Sequence, residues 1–245
     1  MTGLQIAVVA GAFIVAGMAK GAVGMGLPPV ALALMSFSVP LADILAMMVV
    51  PTIATNVWQA VAGHGLARLG RRFASMAVAA IVALLLVAAA FGKLGTPKAT
   101  AWVGIILAVY AALALTAWRP RVPRAVERWA NPLAGIASGA VAGVTGVAAV
   151  PFLPYMQSLE IDRNDLVQAL GIMFVAITGA LTLALALQGS FTPANVAGGF
   201  GALVPTFLGV WIGQRVRRAI SPETFRRAFL IGMLAIGLQM ASRLL

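Results

Sequence analysis

The sequence predicts an all-α integral membrane protein made of two inverted structural repeats, each a broken or re-entrant Gly/Pro helical hairpin followed by three transmembrane helices. Three observations predict it. Apolar residues make up 62% of the 245-residue chain and charged residues 9%, against roughly 25% charged in an average soluble domain; mean hydropathy is +1.01. Shifting the sequence by 122 residues places Gly17, Gly21, Gly24 and Pro29 on Gly139, Gly143, Gly146 and Pro151, and the register continues to Ser36 on Ser158 and Asp43 on Asp165. The basic residues gather between apolar runs, where they report topology.

The first element runs from Leu4 to Phe37 and is interrupted by "KGAVGMGLPP" (Lys20 to Pro29). Its opening lacks the basic n-region and cleavage site of a signal peptide, so it is read as retained structure. Unbroken spans follow near residues 41–62, 73–91 and 99–117. The charge-free stretch Phe73 to Phe91 holds 19 residues, close to the ~20 that cross a hydrocarbon core. The second half repeats the plan, with a broken element from Pro132 to Leu159 and spans near residues 165–187, 194–212 and 224–241. The chain therefore reads as one transmembrane domain (1–245), comprising a first repeat (1–118), a basic cytoplasmic linker (119–131) and a second repeat (132–245).

Orientation follows from the basic loops. Arg68, Arg71 and Arg72, then Arg119, Arg121, Arg124 and Arg128, then Arg163, and finally Arg215, Arg217, Arg218, Arg226 and Arg227 all fall on the cytoplasmic side if each broken element crosses an even number of times. Lys93, Lys98 and Arg243 are then external, as are both termini. Each half has an odd number of crossings, so the halves run in opposite directions. Inverted repeats with broken helices at matching positions are an architecture of secondary transporters.

Non-helical backbone at membrane depth is tolerated only inside protein or along a wet cavity. Glycines allow unusual dihedrals and close approach there, and Pro28 and Pro29 suit the first turn of a new helix. A restarting helix offers free N–H groups and the positive end of its dipole, both of which favour an anion. The candidate substrate-binding residues are Lys20, Gly21, Gly24, Met25, Gly26 and Pro29 in the first break and Gly143, Thr145, Gly146, Val147 and Pro151 in the second. Asn56, Gln168 and Thr178 join them from the spans, alongside Thr52, Thr55, Gln59 and Thr182. Each has a plainer reading. Lys20 can snorkel to headgroups, the glycines can pack helices, and the polar side chains can bond between helices. Asp43, Asp162 and Asp165 sit where carboxylates cap helices, and His64 is a lone loop histidine.

Several classes are excluded. The chain has no cysteine and one histidine, so thiolate, haem and multi-histidine metal sites are untenable, and no cofactor is expected. No Walker phosphate loop occurs, and no nucleophile with a base suggests an enzyme. The net charge of +11 is explained by topology and lipid rather than by nucleic acid. The expected partners are a small anion and the bilayer, with homo-oligomerisation left open. The residues point to a secondary transporter of a small anion by alternating access, with a passive anion channel as the alternative.

The paired breaks followed by proline, the basic linker and "VPFLPYMQSLEIDRNDLVQALGIMF" (Val150 to Phe174) resemble the TauE/SafE sulfite exporters, also called the 4-toluene sulfonate uptake permease family. The resemblance covers nearly the whole chain. It implies a bacterial inner-membrane carrier of sulfite, sulfonates or related organosulfur or carboxylate anions, and a binding role for Gly21, Gly24, Gly26, Gly143, Gly146, Pro29 and Pro151. Family members often carry consecutive glycines in both breaks, whereas this chain has Gly24-Met25-Gly26 and Val147-Ala148-Ala149. The extra side chains narrow the expected cavity.

Overall fold

The computed structural model describes residues 3–92, 122–146 and 151–219, with single positions in 102–116 and 227–242. The elements over the continuous stretches are helices: α1 (Gly3–Val23), α2 (Leu27–Met35), α3 (Leu41–Val61), α4 (Leu66–Phe91), α5 (Arg124–Thr145), α6 (Phe152–Ser158), α7 (Arg163–Leu187), α8 (Pro193–Gly201) and α9 (Leu203–Ala219). Among the described residues, five stretches are long and apolar enough to cross a membrane: Gln5–Ala22, Leu41–Val61, Leu66–Phe91, Asn164–Leu187 and Pro193–Val216. The chain is thus a multi-pass membrane protein. The spans expected near residues 99–117 and 224–241 lie outside the described residues apart from isolated positions.

The broken elements have unequal limbs. α1 has 21 residues and is long enough to cross alone, whereas α2 has 9, about 14 Å of helix. The first broken element is therefore one helix long enough to cross followed by a half-length helix. In the second, α5 has 22 residues and α6 has 7, and α5 is not among the five apolar stretches.

Two expected boundaries move. α5 begins at Arg124, so part of the expected linker is helical and Pro132 lies inside the helix. Proline normally weakens a helix interior, but here side-chain bonds from Glu127 and Asn131 to α4 anchor the first turns. The span expected over 194–212 is present within Pro193–Val216, but it is interrupted at Ala202, where two helices meet. Pro205 has no N–H for the Gly201 carbonyl and its ring crowds it; the ladder continues with Thr206 N–H on Ala202 O at 3.0 Å.

The chain divides into two compact units, one from Met1–Thr52, Gly95–Thr116 and Gly189–Leu245, the other from Ile53–Leu94 and Ala117–Gln188. In the first, α1 packs on α9 backbone to backbone. A Cβ on Gly17 or Gly21 would run into the Thr206 or Val210 carbonyl, and one on Gly209 or Gly213 into that of Ile14 or Met18. Each helix carries its two glycines four residues apart, the spacing that lets membrane helices approach most closely. α2 packs against α1, and Gly198 and Gly199 of α8 lie against Met47 and Val50 of α3.

The second unit uses the same device with different residues. Gly135, Gly139 and Gly143 of α5 sit on the carbonyls of Met76, Ala80 and Leu84 of α4. Phe73, Met76, Leu84 and Phe152 are fully buried, and the Phe152 ring meets Phe174 of α7 edge-on at 5.2 Å. Gly171 of α7 lies on the backbone of Gln59 and Ala60. In both units a break-containing helix from one half of the sequence packs against a long helix from the other half.

Candidate functional site

Both breaks begin with the same cap. Gly24 has φ 85° and its N–H donates to the Lys20 carbonyl at 2.7 Å; Gly146 has φ 72° and its N–H donates to the Ala142 carbonyl at 2.7 Å. These are the pairs that the 122-residue shift superposes. A left-handed residue closing the last turn is the usual helix C-terminal motif and strains any side chain but glycine's. The first break then takes a second left-handed residue, Gly26 at φ 102°, as the N-cap of α2. Val147, which the same shift places on Met25, lies outside the described residues.

The restarting helices offer fewer donors than expected. Pro28 and Pro29 occupy the first turn of α2 and have no N–H, which leaves Leu27 as the donor there. In α6 the Phe152 N–H is already bound to Ser138 Oγ at 2.8 Å, and Pro154 has none. The expectation of a free row of N–H groups is therefore corrected. Pro151 is the N-cap of α6 and Pro29 is buried in α2.

Positive charge at the first break comes instead from Lys20. It stands in the last turn of α1 and is 7% exposed, the opposite of what snorkelling requires. Its position at the carbonyl end of α1 offsets part of the cost of burying an ammonium. Gly21 beside it, like Gly143 in α5, turns its Cα to the neighbouring helix backbone. Both serve close packing, and it is their neighbours Gly24, Met25 and Gly146 that form or adjoin the breaks.

The polar candidates of the spans are buried: Thr52, Thr55 and Asn56 on α3, Gln168 and Thr178 on α7. Gln168 spends its amide on backbone, with Nε2 donating to Ala60 O at 2.7 Å and Oε1 accepting the Gly65 N–H at 2.9 Å. Gln59 returns the bond, donating to Val167 O at 2.8 Å. Thr145 and Thr182 donate within their helices to Val141 O and Thr178 O, each at 2.7 Å. For these side chains the geometry is that of helix-to-helix or intrahelical bonding. The cap of α7 is Asp162, which accepts from the N–H groups of Asn164 and Asp165; the backbone bond from Asp165 leads in holding its carboxyl below the usual range. Asp165 pairs with Arg68 and does not cap, and His64 is exposed.

Residues 9–240 match the family model of the sulfite exporter TauE/SafE. The chain belongs to the TauE/SafE sulfite exporter family. No curated protein and no solved structure matches it. Members of the TauE/SafE family are membrane transporters rather than enzymes, and the match includes both breaks.

This TauE/SafE chain also carries a side-chain network that sequence spacing does not signal. Arg72 of α4 makes a two-pronged ion pair with Glu127 of α5, at 2.8 and 2.6 Å. Asn131 Nδ2 donates to the Arg72 carbonyl at 3.0 Å, and Tyr155 of α6 donates its hydroxyl to Asn131 Oδ1 at 2.6 Å. The network ties the half-helix α6 to α4 and α5. Glu127→Ala strands a mostly buried guanidinium and is expected to cost about 3 kcal/mol, whereas Tyr155→Phe removes one hydrogen bond and is expected to cost about 1 kcal/mol. Melting of the two purified variants in detergent checks the order.

Proposed function

We propose that the protein is a secondary transporter that moves a small anion across the bacterial inner membrane by alternating access, with both termini external. The anion is sulfite, a sulfonate or a related organosulfur or carboxylate compound, and it is contacted by the two helix breaks and by Lys20. The helix breaks carry this reading: left-handed glycines close α1 and α5 at matching positions, Gly24 and Gly146, and the buried Lys20 in the last turn of α1 places positive charge beside the first break. Family membership supports transport. The matching caps at Gly24 and Gly146 support the inverted repeat, and the donor-poor restarts give Lys20 the larger part of the attraction.

Reconstituted vesicles test the proposal. Labelled sulfite, taken first, is expected to enter saturably, and unlabelled sulfite inside is expected to accelerate its entry. Flux that rises linearly with concentration and ignores the opposite side identifies the passive channel. Absence of flux for sulfite, sulfonates and carboxylates alike overturns the reading.

A further inference from the structure

We infer that the two half-helices move differently: α2 pivots on the glycines of the first break, whereas α6 stays fixed to α5. That the pivot serves anion access rests on the transporter reading; that it occurs does not.

α6 is tied at its start, middle and end. The Phe152 N–H donates to Ser138 Oγ at 2.8 Å, the Tyr155 hydroxyl donates to Asn131 Oδ1 at 2.6 Å, and the Val122 N–H donates to Ser158 O at 2.9 Å. Ser138 and Asn131 belong to α5, and Val122 lies two residues before it. Asn131 is itself held by its bond to the Arg72 carbonyl. Hydrogen bonds are directional, so α6 cannot turn or slide on α5 without breaking several at once.

α2 has no such ties. Its sequence, "LPPVALALM", contains no polar side chain, and among the described residues its hydrogen bonds stay within positions 26–39. The 122-residue shift places Tyr155, Asn131 and Ser138 on Ala33, Val9 and Ala16, all buried. The first half thus keeps the half-helix but has aliphatic groups where the second half has its ties. Apolar burial is non-directional, so it resists exposure of α2 but not a change in its angle.

Both ends of α2 permit that change. At the amino end Gly24 and Gly26, at φ 85° and 102°, bracket Met25, and glycine crosses between backbone regions closed to other residues. Hinges are built from a few such residues at the ends of elements. At the carboxyl end Ser38, Val39 and Pro40 line a cavity of about 310 Å³ whose other walls include Gln5, Met47 and Thr192, all within the first unit. A hinge at one end is therefore matched by open space at the other. Lys20 lies one turn before Gly24, whose N–H donates to the Lys20 carbonyl, so a pivot there changes what surrounds the ammonium.

Spin-label distance measurements on the purified full-length chain test this. The chain has no cysteine, so Ile6→Cys with Ser38→Cys, and Arg128→Cys with Glu160→Cys, each give one labelled pair. The pairs occupy matching positions in the two halves, and all four residues are exposed. Each pair joins the helix before a break to the residues just after its half-helix. Turning a helix about 14 Å long by roughly 20° carries its far end about 5 Å. The Ile6/Ser38 pair is expected to show a second population or a spread on that scale, and the Arg128/Glu160 pair a single narrow distance. Adding Ser138→Ala and Tyr155→Phe to the Arg128/Glu160 pair is expected to broaden it toward the Ile6/Ser38 distribution. Narrow single distances for both pairs, or an Arg128/Glu160 distribution as broad as that of Ile6/Ser38 with the ties intact, would overturn the inference. So would an Arg128/Glu160 distance that stays narrow once the ties are removed. No anion is present in these measurements, so they and the flux experiment can fail separately.

Discussion

Gly139→Leu is expected to yield no monodisperse protein. A Cβ at Gly139 already falls inside the contact radius of the Ala80 carbonyl, and the obstructing atoms are backbone. Overpacking in a core usually costs about 1–3 kcal/mol because side chains can shift. A helix axis cannot shift locally, so the whole seam from Gly135 to Gly143 has to separate and its close contacts are lost together. Gly17→Leu and Gly209→Leu are expected to do the same to the α1–α9 seam. Gly11 and Gly179 are the controls: both are helical and neither has a neighbour within 4 Å of an added Cβ. Gly11→Leu and Gly179→Leu should elute and melt like the wild-type chain on fluorescence-detected size-exclusion chromatography. Equal behaviour of Gly139→Leu and Gly179→Leu would mean that the α4–α5 seam is not as described.

Lys20→Met is expected to abolish anion flux while leaving the fold intact or slightly more stable. Methionine keeps the apolar stem of the lysine and removes the cost of holding a charge out of water. A structural lysine would therefore show its loss as reduced flux and reduced melting temperature together. A site lysine separates the two. Counterflow in vesicles and melting in detergent, measured on the same preparation, read both quantities. Wild-type flux in Lys20→Met would remove Lys20 from the site.

The breaks were legible because their chemistry is local. A left-handed cap needs glycine and a restart favours proline, so Gly24, Gly26, Gly146, Pro29 and Pro151 marked the interruptions. The function of the glycines was less legible. Gly17 and Gly24 look alike in the repeat, yet Gly17 lies on a helix backbone and Gly24 closes a turn; the partner helix, distant in sequence, makes the difference. Gln168 looked like a cavity side chain until its bonds to Ala60 and Gly65, about a hundred residues away, were seen. Arg72 read as a topology signal and is also half of an ion pair with Glu127. Pro132 marked a helix start by propensity, but the bonds of Glu127 and Asn131 to α4 extend α5 back to Arg124.

The most direct test of the central claim is a single cysteine at Met25, between the two left-handed glycines of the first break, in a chain that has no cysteine of its own. Its labelling by a membrane-impermeant thiol reagent is followed while sulfite, sulfonates and carboxylates are added, with Val147→Cys treated in parallel. The account predicts that one of these anions slows labelling at both positions, saturably and at a common concentration. Labelling that proceeds at the same rate whatever anion is present would contradict it.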